Sequence, residues 1–119
     1  MKLAAIVAYA KDNVDKATIG FTLINAALDA GHTVRVALAS EGVRLTVKGY
    51  ADDIQNGAPF KPMKELLQET FQKGGEINVC TPCMKKRGLE QKDMIPGVQF
   101  IDGAGLIAIL KDCDKTLQL

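Results

Sequence analysis

With 119 residues, 47% of them apolar, and 15 basic against 14 acidic side chains, the chain is sized for one folded unit with a core of its own. A formal net charge of +1 gives no electrostatic case for nucleic acid or an anionic membrane surface, and no apolar run reaches the ~18 residues that a bilayer span needs. Three cysteines, an odd count in a chain without a secretory signature, fit reduced thiols and a cytoplasmic location better than a disulfide framework.

Met1-Lys2 ahead of Leu3–Ala10 imitates a secretory leader, yet it falls short of the ~15–30 residues of one. The continuous apolar run Leu3–Ala10 predicts instead a first strand covered on both faces. Lys11, Asp12 and Asn13 make a turn, and from Asp15 a helix pattern places Ile19, Leu23, Ala26, Ala27 and Ala30 on or near one side, with Gly31 as its stop. Val34, Val36 and Leu38 alternate with Arg35 and Ala37 as a second strand. Strand, helix and strand at these lengths imply a right-handed parallel crossover.

Ser40–Pro62 is the least regular stretch, with a short helical turn near Val43–Val47. A connection of this length in a small domain carries function or covers a site. Lys61–Lys73 is the clearest helix: Met63, Leu66, Leu67, Thr70 and Phe71 keep the spacing of one buried stripe, and Gly74-Gly75 ends it. Ile77–Val79 then runs into Cys80 as a third strand. The spacing predicts a helix capped by Thr81, with Pro82 at its first position, Cys83 one turn inside, and Lys85, Lys86 and Arg87 before Gly88.

Gln91–Ile95 reads as a further turn, Val98–Ile101 as a fourth strand, and Gly103–Asp112 as a helix apolar almost all round, deeply buried or pressed on another subunit. Leu117–Leu119 completes the pattern as a short strand. The alternation predicts an α/β fold over residues 1–119 as one domain, a three-layer α/β/α sandwich around a parallel sheet of four to five strands.

Cys80 is the candidate working atom. A thiol at the carboxyl end of a strand, where a helix begins, sits where open α/β sheets bind ligands, and the unpaired N–H groups there favour a thiolate over a thiol. Cys80-Thr81-Pro82-Cys83 also has the spacing of a thiol–disulfide redox pair, although no Trp precedes it and no proline follows in an obvious cis-proline place. With Cys113 and His32 as distant partners it is at most half a zinc site, since zinc takes four ligands. Two cysteines simply packed beneath a helix would leave the stretch without chemistry.

Among the other polar residues, Glu41, Arg44, Lys48 and Tyr50 are candidates to line the approach to Cys80. Lys85, Lys86 and Arg87 are candidates to steady a thiolate or recruit an anionic donor, or form a solvated face. His32 suits an exposed turn, Cys113 suits packing beside Leu106 and Leu110, and Gly103-Ala104-Gly105 reads as a tight turn, lacking the rest of a dinucleotide fingerprint.

In order, these features resemble the DsrE/DsrF-like (TusD/YchN-like) family of small sulfur-relay proteins over nearly the whole chain. The resemblance rests on Cys80 ending the third strand with Arg87-Gly88-Leu89 behind it, on Glu41-Gly42-Val43-Arg44-Leu45 with Lys48-Gly49 after the second strand, and on the Ile101–Gly105 junction. It implies a homo-oligomer, commonly a trimer or hexamer, whose cysteine, at the position of Cys80, accepts sulfane sulfur as a persulfide from a protein donor and passes it to a protein acceptor. It implies no organic cofactor. Cys83 departs from the pattern, in which many members keep only the first cysteine; here it is spaced to act as a resolving thiol. The alternatives that stand beside this reading are the redox pair and a non-catalytic oligomeric module.

Overall fold

The computed structural model describes residues 1–119. Five parallel strands form one sheet in the order β4-β3-β2-β1-β5. They are β1 (Lys2–Val7), β2 (Thr33–Leu38), β3 (Glu76–Cys80), β4 (Gln99–Ile101) and β5 (Lys115–Gln118). The helices are α1 (Val14–Asp29), α2 (Met63–Gln72), α3 (Thr81–Lys86) and α4 (Gly103–Asp112), with short 3-10 turns at Lys11–Asn13, Ser40–Thr46, Tyr50–Asp53 and Gln91–Asp93. The architecture is the three-layer α/β/α sandwich that the alternation of elements predicts.

The strand order assigns the layers. From β1 to β4 the chain steps steadily across the sheet, so right-handed crossovers keep α1 and α2 on one face. The connection from β4 to β5 runs back across to the far edge, which carries α4 to the other face. Side-chain alternation agrees. Ala5, Val7, Val34, Val36, Leu38, Ile77 and Val79 join Phe21 and Ile24 of α1 and Leu66 and Leu67 of α2 in one buried cluster. The intervening residues Ala4, Arg35, Ala37, Glu76, Asn78 and Gln99 form the second face, in register across β1 to β4.

That second face is more polar than a buried parallel sheet requires. Arg35 Nε donates to Glu76 at 2.6 Å, and the buried Asn78 amide donates to Val36 O at 3.1 Å and to Glu76 at 3.0 Å. Burial pushes the Glu76 carboxyl up, but Asn78 and Arg35 outweigh it and hold the group below the ordinary carboxylate range. Only one helix lies over these strands, and Ile109 is its buried residue.

Helix α1 keeps its predicted period but not its predicted phase. The buried side is Ala17, Phe21 and Ile24, whereas Leu23 is exposed and so are Ala26 and Ala30. The large pair Phe21 and Ile24 outweighs a stripe built mainly of alanines, because buried area scales with side-chain size. In α2 the predicted stripe is the buried one. Its end is tight: a Cβ on Gly75 would fall 2.7 Å from Thr70 Cγ2 and 2.9 Å from its carbonyl oxygen.

Several details differ from expectation: β5, for one, spans Lys115–Gln118 rather than Leu117–Leu119. β1 stops at Val7, short of Ala10, and the chain after β2 packs directly on the Val7 carbonyl. The turn after β2 starts at Ser40, earlier than Val43. Gly103-Ala104-Gly105 is the first turn of α4 itself, closed by the Asp102 carboxylate accepting the Gly105 N–H at 2.8 Å. α4 is also less buried than its composition suggests, with Ile107 64% exposed.

Candidate functional site

At the carboxyl end of β3, Cys80 occupies the N-cap position of α3, and Pro82 stands second in the helix rather than first. The Thr81 hydroxyl does not cap; it donates to the Ile101 carbonyl at 3.2 Å, tying the start of α3 to β4. Inside the helix, Met84 is buried in the core and fixes which side faces inward. Cys80 and Cys83 are both half-buried, packed against the core on one side, and both are free thiols. The structure thus brings the two candidate residues together at one strand end.

Their electrostatics differ from the expectation of a ready thiolate. Burial pushes the Cys80 thiol up, and the adjacent Cys83 thiol pushes it further; the Cys83 backbone N–H and the Arg87 guanidinium pull down by less. The net direction is upward. A helix of six residues with no side-chain cap and a proline in place of one N–H donor has little to set against the loss of water.

The chain after β2 forms the other wall. Gly42 lies so close to β1 that a Cβ there would fall 2.1 Å from the Val7 carbonyl oxygen. Val43 and Leu45 point into the core, and Glu41 and Arg44 remain half-buried between core and solvent. Arg44 Nε donates to Glu41 Oε1 at 2.9 Å, and Arg87 Nε donates to Glu41 Oε2. Arg87 Nη1 also donates to the Cys83 carbonyl at 3.0 Å. The Arg87 guanidinium, with Arg44 behind it, holds the Glu41 carboxyl below the ordinary carboxylate range. Residues 41 and 87 are far apart in sequence, and no spacing rule pairs them.

The other candidates make no hydrogen bond to either cysteine. Lys85 and Lys86 are exposed, unlike Arg87. Lys48 donates to the Lys92 carbonyl at 3.0 Å, and the Tyr50 hydroxyl accepts the Lys11 N–H at 3.1 Å. His32 faces the chain's amino group, 3.2 Å away, where the strands begin. Cys113 is the C-cap of α4, at that same end of the sheet, with Arg35 as a charged neighbour. His32 and Cys113 therefore lie across the sheet from Cys80, and no group of three or more His, Cys, Asp or Glu side chains gathers anywhere to hold a metal ion. No helix is long and apolar enough to cross a membrane.

A five-stranded parallel α/β fold with a thiol at the carboxyl end of an inner strand defines the class. The DsrE/DsrF-like family model matches residues 1–119, and the chain belongs to that family. An uncharacterized protein of Methanocaldococcus jannaschii is 30% identical over 117 residues, covering 98% of each chain. An uncharacterized protein of Methanopyrus kandleri is 29% identical over 115 residues, covering 97% of this chain and 91% of that one. Among solved structures, the YchN protein of E. coli superposes with a TM-score of 0.81 over 100% of both chains at 20% identity. A conserved protein of unknown function from Bacteroides thetaiotaomicron gives 0.69 at 21% identity, over 99% of this chain and 94% of that one. These likenesses establish the fold.

Proposed function

We propose that the protein is a cytoplasmic sulfur carrier that holds sulfane sulfur as a persulfide on Cys80. The observation that carries the reading is the pairing of two free, half-buried thiols at the carboxyl end of β3 with a guanidinium behind them. Family membership supports a role in sulfur relay. The Cys80 thiolate attacks the outer sulfur of a donor persulfide, forming the Cys80 S–S bond as the donor's S–S bond breaks and the donor leaves as a thiolate. An acceptor thiolate then attacks that outer sulfur, and Cys80 departs as the thiolate it began as. Attack by Cys83 on the inner sulfur would instead expel hydrosulfide and leave a Cys80–Cys83 disulfide, with no outside oxidant.

Burial favours the neutral thiol, so a partner that takes the proton or brings positive charge would favour the thiolate at Cys80. That suits a carrier working between two proteins better than a free-standing thiol enzyme. The homo-oligomer implied by the family is supported by the thin third layer, where α4 leaves Ile107 exposed.

Intact-mass spectrometry after exposure to a sulfane donor is expected to show one added sulfur, retained in Cys83→Ser and absent in Cys80→Ser. An unmodified wild type, or an undiminished adduct in Cys80→Ser, overturns the reading. If reduction of a test disulfide depended on both cysteines and no sulfur adduct formed, the redox pair would replace it.

A further inference from the structure

We propose that Arg87 is a positioning residue for the chemistry at Cys80, and that Glu41 sets how much of its charge reaches the sulfur. The inference rests on reading Cys80 as the reacting atom. Arg87 follows two exposed lysines, yet its own side chain is only 13% exposed. Its fork is divided between two elements: Nε binds the Glu41 carboxylate from the loop after β2, and Nη1 binds the Cys83 carbonyl inside α3 at 3.0 Å. A lysine could supply the charge but not both directed bonds. The guanidinium therefore holds the turn carrying both cysteines against the neighbouring loop.

The charges leave a remainder. Arg87 and Arg44 share the single carboxylate of Glu41, one on each oxygen. Two cations and one anion leave a net positive charge beside the cysteines, and a sulfur anion on Cys80, thiolate or persulfide, makes the cluster neutral. Cys83 and Arg87 act on Cys80 directly, and Glu41 and Arg44 bear on it through Arg87. The carboxylate thus offsets part of the guanidinium charge that Cys80 feels.

The test is the pH profile of Cys80 alkylation by isotope-coded iodoacetamide, read at the Cys80 peptide by mass spectrometry in otherwise unaltered protein. Glu41→Gln frees the guanidinium, and the midpoint is expected to fall. Arg87→Gln removes it, and the midpoint is expected to rise. Each shift should be about half a pH unit, below the ~1–3 units of an unshielded opposite charge, because the cluster is shared and partly solvated. The double variant should return toward wild type. Midpoints that stay in place, or that move the same way in both single variants as mere loosening would make them, overturn the proposal. Should Arg87→Gln fail to fold, Glu41→Gln decides alone: a lowered midpoint supports the proposal, and an unchanged or raised one defeats it. A persulfide that never forms would remove the carrier function and leave these midpoints standing; static midpoints would remove the role of Arg87 and leave the persulfide standing.

Discussion

Cys80 shows how far a single atom's behaviour depends on what is packed around it. Position at a strand end is legible from Ile77-Asn78-Val79-Cys80, but ionisation is not, because burial is decided by Met84, the loop after β2 and the end of β4 together. With the thiol pushed up by burial, its alkylation midpoint is expected above the ~8.5 of a free cysteine. The sign for stability follows by linkage. A folded-state pKa above the unfolded one means the native state holds its proton longer, so stability is kept below about pH 8.5 and falls as pH rises through the folded value. Cys113, also pushed up by burial, adds to the same alkaline loss. Denaturant unfolding at pH 7, 9 and 10 checks this, and a flat profile would contradict it. At the acid end, Glu41 and Glu76 are held low by their partners, so their contribution is lost as pH drops below the ordinary carboxylate range.

At the level of elements, the loop after β2 combines the least regular sequence with the geometry that matters most. Glu41-Gly42-Val43-Arg44-Leu45 lies in a 3-10 turn too short to show an α-helical or strand period, and each residue answers to a different neighbour. Glu41 reaches Arg87, Gly42 rests on β1, and Val43 and Leu45 fill the core. Gly42→Ala is expected to destabilise the protein by about 3 kcal/mol or more, because backbone atoms of β1 cannot yield as a side-chain tip can. Thermal unfolding should show a melting temperature lower by about 10 °C; a shift of a degree or two would mean that the loop can lift off β1. Helices α2 and α4 were legible because their bounds follow from stripe or composition, and the parallel sense of the first crossover followed from the lengths of its elements; the sheet order β4-β3-β2-β1-β5 did not. The phase of α1 was not, since alanines spread around a helix offer two candidate faces and only the docked sheet selects Phe21 and Ile24. Nor was the polar second face visible as a unit, although Arg35, Glu76 and Asn78 each stand at alternate positions of their strands.

At the scale of the molecule, the two faces of the sheet are unequal. One carries α1, α2 and the large apolar cluster; the other carries α4 over a patch of alanines, an ion pair and amides. A helix of this composition with a single fully buried residue is an incomplete cover. If copies of the chain associate through it, light scattering should show a species larger than one chain, and Ile107→Lys should shift it toward the monomer while leaving the secondary structure intact. An assembly unchanged by that substitution would place the contact elsewhere.

Strand order has a last consequence for biosynthesis. β1 leaves the ribosome first, yet one of its two hydrogen-bonded flanks stays open until Lys115–Gln118 arrives to pair with Leu3–Ile6. Translation at ~5–20 residues per second exposes that flank for several seconds in every nascent chain. A chaperone that shelters unpaired strands, or a pause in decoding just before β5, would therefore act on this protein at the moment when its oldest strand is still waiting for its youngest.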